Sequence, residues 1–218
     1  MVPASSSCVT CPVGKYCTPT TFGITCDAGN YCPGLNLLEQ CPIGTFSNQT
    51  GQSLISTCVT CTSGYSCEST GLSLPTTQCS VGYICTGGTI TPRPSNFGGR
   101  MCLPGELCAL GSNAVTLCPA GSYCRDYASG FATANCEGGY YCPAGSSSSN
   151  PIAYLCPTGK YCPLGSVTPT VCPIGTYSPS DGASSITACQ ACPAGKICTS
   201  TGSTGSGAVS CTAGYYCP

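Results

Sequence analysis

Apolar and polar positions along the chain follow neither of the usual rhythms. No ten-residue window carries apolar side chains at 3.6-residue spacing. Glycine or proline interrupts every candidate, so no helix is predicted. What recurs is a short cluster in which an aromatic or aliphatic residue stands directly before a cysteine, or one place earlier. Each cluster predicts a strand of two or three residues ending in that cysteine. The stretches between them are polar and rich in Ser, Thr, Gly and Pro, and read as turns and loops. The longest are 86–101, 143–155 and 199–210.

The clusters belong to a repeat. The heptapeptide Cys-x-x-Gly-x-x-Cys starts at Cys11, Cys26, Cys61, Cys79, Cys102, Cys118, Cys136, Cys156, Cys192 and Cys211. Two further copies, CPIGTFS at Cys41 and CPIGTYS at Cys172, end in serine and are followed at one common interval by Cys58 and Cys189. Proline after the first cysteine suits position i+1 of a β-turn, and the glycine, present in all twelve copies, ends that turn. An aromatic such as Tyr16, Tyr31, Tyr123 or Tyr161 then forms an apolar lid over a bridge, its hydroxyl in water.

The cysteine count closes on this repeat. Of 25 cysteines, Cys41 with Cys58 and Cys172 with Cys189 form simple loops. The other copies fall into consecutive pairs. Joining first to third and second to fourth gives Cys11–Cys26, Cys17–Cys32, Cys61–Cys79, Cys67–Cys85, Cys102–Cys118, Cys108–Cys124, Cys136–Cys156, Cys142–Cys162, Cys192–Cys211 and Cys198–Cys217. Cys8 is left unpaired, its partner expected upstream or in a neighbouring subunit. Spacing alone does not determine connectivity. A ladder from each copy's second cysteine to the next copy's first is the alternative. The crossed scheme divides the chain into the end of a truncated module (1–10), four-cysteine modules at 11–32, 61–85, 102–124, 136–162 and 192–217, and single-loop modules at 41–58 and 172–189.

Composition changes the picture in one respect, the compartment. Cysteine at this density marks a disulfide scaffold, and histidine, the usual zinc co-ligand, is absent. An oxidising, extracellular or cell-surface location follows. The opening Met-Val-Pro-Ala-Ser-Ser-Ser shows no charged or apolar leader pattern, which suggests a mature segment or a fragment. No run is long and apolar enough to span a bilayer, so this segment is expected not to insert into membrane. Charged residues make up 6 % of the chain and the net charge is −1. That makes nucleic acid a poor partner.

The stretches Cys172–Cys198 and Cys41–Cys67, with Gly182 and Gly51 at matching places, resemble the ephrin-receptor-like cysteine-rich repeat of the growth-factor-receptor cysteine-rich superfamily. Such repeats occur in long arrays in secreted and surface proteins. The resemblance implies small disulfide-laddered β modules stacked end to end and no catalytic residues to transfer. The fold expected is therefore small, disulfide-rich, irregular β: an elongated tandem array of hairpin modules with essentially no helix.

Candidate chemistry is sparse. The Cys-x-x-Cys spacings at 8/11, 58/61 and 189/192 invite a zinc or redox reading, but the repeat already uses every one of these thiols. No serine has a histidine to activate it, so neither catalysis nor a cofactor is expected. Asn48-Gln49-Thr50 is an N-glycosylation sequon in a loop, and Ser146, Ser147, Ser148 and Ser149 are candidates for O-glycans. The function expected is structural, a segment of an extracellular glycoprotein fibre, filament, surface coat or mastigoneme-like flagellar hair. Its partners would be copies of itself, other fibre proteins and glycans. The alternative is a ligand-binding or adhesive receptor ectodomain.

Overall fold

The computed structural model describes residues 10–204 and 209–212, and contains no α-helix among them. Three single 3-10 turns stand at Ile55–Thr57, Ile152–Tyr154 and Ile186–Ala188. The rest is a succession of two-stranded antiparallel hairpins. Their register never changes from copy to copy. The residue after the repeat glycine pairs with the residue before the next repeat's first cysteine, as in Lys15 with Thr25, Thr45 with Thr60, Ser122 with Asn135 and Thr176 with Ala191. Where the copy at Cys136 forms no strand, Tyr140 and Leu155 keep the same pairing as an isolated bridge.

The bridges differ from the crossed scheme. Each full heptapeptide with both cysteines among the described residues closes on itself: Cys11–Cys17, Cys26–Cys32, Cys61–Cys67, Cys79–Cys85, Cys102–Cys108, Cys118–Cys124, Cys136–Cys142, Cys156–Cys162 and Cys192–Cys198. This replaces Cys11–Cys26, Cys17–Cys32, Cys61–Cys79, Cys67–Cys85, Cys102–Cys118, Cys108–Cys124, Cys136–Cys156, Cys142–Cys162, Cys192–Cys211 and Cys198–Cys217, and the alternative ladder between copies as well. Cys41 pairs with Cys58 and Cys172 with Cys189, their serine-ended copies having no second thiol. Cys211 is also disulfide-bonded. The expectations for Cys8 and Cys217 lie outside the described residues.

A turn is the physical reason for the local pairing. The N–H after each repeat glycine donates to the carbonyl three residues back, as Lys15 does to Pro12 and Ser122 to Pro119, both at 3.1 Å. Proline is thus at position i and glycine at i+2, so the turn begins one residue later than the sequence reading put it. The glycine has positive φ, +75° at Gly14 and +82° at Gly121, as a type II turn demands. This reversal returns the two ends of the heptapeptide to Cα separations of 5.8–6.4 Å, inside the bridging range.

Contacts divide the chain into two compact units, one of Met1–Met101 with Ala109–Ala114 and one of Cys102–Cys108 with Val115–Pro218. Inside each, the repeats stack by one backbone pattern. In the first unit the N–H of Gly14 donates to Cys32 O (2.8 Å), that of Gly29 to Ser47 O (2.7 Å), and that of Gly64 to Cys85 O (2.8 Å). The glycine carbonyl is used in turn by the next copy's first cysteine, Cys26 N–H to Gly14 O and Cys79 N–H to Gly64 O. The second unit repeats this with Gly105 to Cys124, Gly121 to Cys142 and Gly159 to Ser178. The pattern runs through the expected module boundaries, since Cys41 N–H meets Gly29 O and Cys172 N–H meets Gly159 O. Both backbone groups of the turn glycine therefore serve the neighbouring copy in these repeats, while Gly82, ahead of the long spacer at 86–101, shows neither bond.

The core is made of half-cystines. Among the described cysteine, aliphatic and aromatic residues twenty are buried, and all but Ile84 and Tyr123 are cysteines. Most of the expected lids are only half-buried, Tyr16, Tyr31 and Tyr161 among them. In the copy at Cys61 the residue directly before the second cysteine is Ser66, and Tyr65 beside it is half-buried. Ser66 is 1 % exposed, and its hydroxyl makes no hydrogen bond.

Candidate functional surface

The Cys-x-x-Cys spacings do not form dithiols. Cys58 is bridged to Cys41 and Cys61 to Cys67, while Cys189 is bridged to Cys172 and Cys192 to Cys198. The two cysteines of each motif stand at the ends of one strand and belong to different bridges, so no thiolate is free for metal or exchange chemistry. Cys11, bridged to Cys17, is likewise committed.

The sequon lies on the surface. Ser47 takes the place of a second cysteine and is buried, its N–H donating to Leu72 O at 3.0 Å. The chain then emerges, and Asn48, Gln49 and Thr50 are all exposed before Gly51 returns to the stack through its N–H on Cys26 O (2.7 Å). A glycan on Asn48 would point away from the bridges and disturb none of the backbone pairing.

The serine cluster is divided by the same stacking. Ser146 is buried, and its hydroxyl donates to Pro143 O at 2.7 Å within a turn. It is therefore withdrawn as an O-glycan site. Ser147 is exposed, whereas Ser148 and Ser149 are half-buried. The Ser148 hydroxyl donates to Asn150 Oδ1 at 3.0 Å, and the Ser149 carbonyl accepts from Glu137 N–H at 2.8 Å.

The sequence reading matched Gly51 with Gly182 but missed that a second glycine recurs in most of the repeats. It follows the second cysteine position by three or four residues and appears as Gly51, Gly71, Gly88 and Gly111 in the first unit, and as Gly145, Gly165, Gly182 and Gly202 in the second. Each has positive φ, and each donates its N–H to the first cysteine carbonyl of the preceding copy, as Gly71 does to Cys41 and Gly165 to Cys136. Ala128 fills this role for the copy at Cys118, with φ of +55° and its N–H on Cys102 O at 2.9 Å. The signal was available in Cys-Pro-x-Gly-Ser after the second cysteine, at 142–146 and 162–166.

One spacer departs from the short-turn pattern. Residues 86–101 form the longest connection between copies, and the structure braces it instead of leaving it slack. Thr89 and Pro94 are fully buried, and the Thr89 hydroxyl donates to Gly98 O at 2.9 Å. Ser63 donates its hydroxyl to Thr86 O (2.8 Å), and Ser80 N–H donates to Pro92 O (2.8 Å). An open cleft of about 390 Å³ lies beside it, floored by Ile84 and walled by Thr86, Ser95, Asn96, Gly98 and Arg100. A smaller hollow of about 140 Å³ shares Ser95 and Asn96 and is walled by Ile90, Pro94 and Phe97.

A scan against protein-family models finds no matching family, and a search of curated proteins finds no match.

Proposed function

We propose that this chain is a structural repeat segment of an extracellular glycoprotein assembly, a fibre, filament, surface coat or flagellar hair, with no turnover of its own. The observation that carries this reading is the invariant backbone register between successive copies. In nine copies, from Gly14 to Gly64 and from Gly105 to Gly175, the turn glycine spends both its N–H and its C=O on the next copy, so stacking there is written into the main chain and needs no particular surface side chain. Such arrays make contacts mainly between sequence neighbours and suit spacing and durability.

Further support comes from the materials used. The bridges suit an oxidising compartment, and no helix among the described residues is long and apolar enough to cross a membrane. The likeness of Cys41–Cys67 and Cys172–Cys198 to ephrin-receptor-like repeats points the same way, because those occur in long secreted and surface arrays. Partners of this kind of segment are copies of itself, other fibre proteins and the glycan at Asn48. A ligand-binding or adhesive ectodomain is the second reading, favoured by the braced loop at 86–101.

Negative-stain imaging of the native material tests the structural reading. Ordered filaments with an axial repeat are expected. Material that stays monomeric at every concentration contradicts the proposal.

A further inference from the structure

Three of the four phenylalanines stand in water. Phe22, Phe97 and Phe131 are 59 %, 87 % and 78 % exposed, each in a spacer between repeats. The spacer that carries Phe131 is pinned along its length. Arg125 N–H donates to Thr133 Oγ1 (3.0 Å), Cys108 N–H to Ser129 O (3.0 Å), and the Ser129 hydroxyl to Phe131 O (2.6 Å). The ring is thus presented on a fixed backbone, and docking it orders little that is not ordered already.

The spacer at 86–101 offers a seat for such a ring. Its hollow of about 140 Å³ is walled by Ile90, Pro94 and Phe97. That is close to the roughly 150 Å³ of an apolar cavity that holds one benzene. The walls are braced: Pro94 is fully buried, and Ile90 Cγ2 lies 3.1 Å from the point where a Cβ on Gly44 would stand. The hydroxyls at the rim already have partners. The Ser95 hydroxyl donates to Asn96 Oδ1, and Thr91 Oγ1 accepts from Arg93 N–H at 3.3 Å. An apolar ring leaves both bonds in place, whereas a polar side chain seated on these walls would lose its water without gaining a partner.

Charge selects the Phe131 spacer as the occupant. The spacer at 86–101 carries two arginines and no acid. Arg93 stands in sequence between Thr91 and Pro94 of the hollow; it is exposed and makes no ion pair among the described residues. The Phe131 spacer supplies Asp126, likewise exposed and without an ion pair among the described residues. Its one cation, Arg125, sits over the Tyr123 ring at 5.9 Å. The Phe22 spacer, 18–25, has no charged residue to offer.

We infer that molecules of this chain join to one another through Phe131 of one, seated in the Ile90–Pro94–Phe97 hollow of the next, with Asp126 set against Arg93. This rests on the assembly reading and names the contact by which separate chains meet. Ring and hollow are unlike surfaces, one in each compact unit, so the contact is heterologous and extends into an open series unless it closes a ring. A buried phenylalanine covers only about 150–250 Å², against about 1,200–2,000 Å² for a stable interface. Each joint is therefore weak, and association depends on concentration.

Sedimentation velocity of the oxidised chain over a concentration series tests the contact. The parent chain should form species larger than the monomer as concentration rises. Phe131→Ala and Phe97→Asp should each weaken association at least about tenfold, the scale of losing an aromatic anchor. Phe22→Ala should leave it unchanged. A mixture of the Phe131→Ala and Phe97→Asp chains should form a 1:1 complex, because the first keeps the hollow and the second keeps the ring. Asp126→Arg and Arg93→Asp should each weaken association, and both exchanges in one chain should restore it. An unaltered non-reducing disulfide map in each variant separates loss of the contact from loss of the fold. A parent chain that stays monomeric contradicts the assembly reading together with this contact. Association that survives Phe131→Ala in a chain with the native map overturns the contact alone, as does a mixture of the two variants that forms no complex.

Discussion

The carbonyl oxygen of Gly182 lies 2.6 Å from the point where a Cβ on Gly139 would stand. The first glycine belongs to the copy at Cys172 and the second to the copy at Cys136, two repeats earlier. The same approach, also at 2.6 Å, links Gly64 with Gly111 and Gly121 with Gly165. Each of these turn glycines therefore meets two demands at once, a positive φ and a backbone passing where a side chain would begin.

A graded loss of stability follows. Gly139→Ala must adopt φ near +92° and displace the Gly182 backbone, and should cost at least about 3 kcal/mol. Gly175→Ala meets the φ requirement alone, since nothing described lies within 4 Å of its Cβ position, and should cost about 1–2 kcal/mol. Thermal melts of the oxidised variants compare them. Equal losses would mean that the close approach between copies contributes nothing.

Ala128 offers the converse. It holds φ of +55° at a place where the other copies use glycine, and its N–H bond to Cys102 keeps it there. Ala128→Gly should raise stability by about 0.5–1 kcal/mol, the relief of the left-handed conformation less the added freedom of the unfolded chain. A lower melting temperature would contradict this account of the second glycine.

Ser66 is a buried hydroxyl without a partner. Ser66→Ala removes the desolvated oxygen and should stabilise the chain by about 1 kcal/mol. Chemical denaturation of the oxidised protein reads the effect directly, and a loss of stability would show that the hydroxyl has a role in the stack.

How far the sequence could be read is shown by particular residues. The hairpin strands before Cys17 and Cys124, the lack of α-helix and the loop partners Cys41 and Cys58 all follow from the repeat itself. The pairing inside the heptapeptide did not follow, because crossed and local schemes consume the same cysteines and the count cannot separate them. What separates them is the position of one hydrogen bond, from Lys15 to Pro12 instead of one residue earlier, which moves the reversal to the centre of the heptapeptide. Ser146 was misread for a related reason. Its type suggested a surface serine, but it follows a turn glycine and is turned into the stack, where its hydroxyl bonds Pro143.

Ser47 and Ser178 provide a covalent test of the same geometry. Each is buried at the second cysteine position, and each keeps the backbone role of that position, Ser47 O accepting from Gly29 and Ser178 O from Gly159. In the Ser47→Cys variant, Cys41 should therefore bridge to the introduced thiol in competition with Cys58, and release Cys58 as a free thiol. Since one thiol is left free whichever partner Cys41 takes, the variant is alkylated without reduction and mapped, and the label is expected on Cys58. A variant that retains Cys41–Cys58 alone, with the introduced thiol free, would deny that the two positions are equivalent.

Local closure also sets how reduction acts. A heptapeptide loop restricts the unfolded chain by about 2.4 kcal/mol in the loop-entropy model, and the longer Cys41–Cys58 loop by about 3 kcal/mol. With the core built of cystine sulfur, removing these bridges removes the interior as well as the constraint. Full reduction should abolish the hairpin signature in circular dichroism, and a chain that keeps it would have a core beyond the bridges.

The most direct measurement is a non-reducing peptide map of the native chain. Cleavage in the spacers should yield separate peptides, each with its own closed ring, Cys26–Cys32, Cys118–Cys124 and Cys156–Cys162 among them, while Cys41–Cys58 and Cys172–Cys189 are the longer loops among the described bridges. Peptides from consecutive copies held together by a bridge, such as Cys11 to Cys26 or Cys102 to Cys118, would contradict local closure.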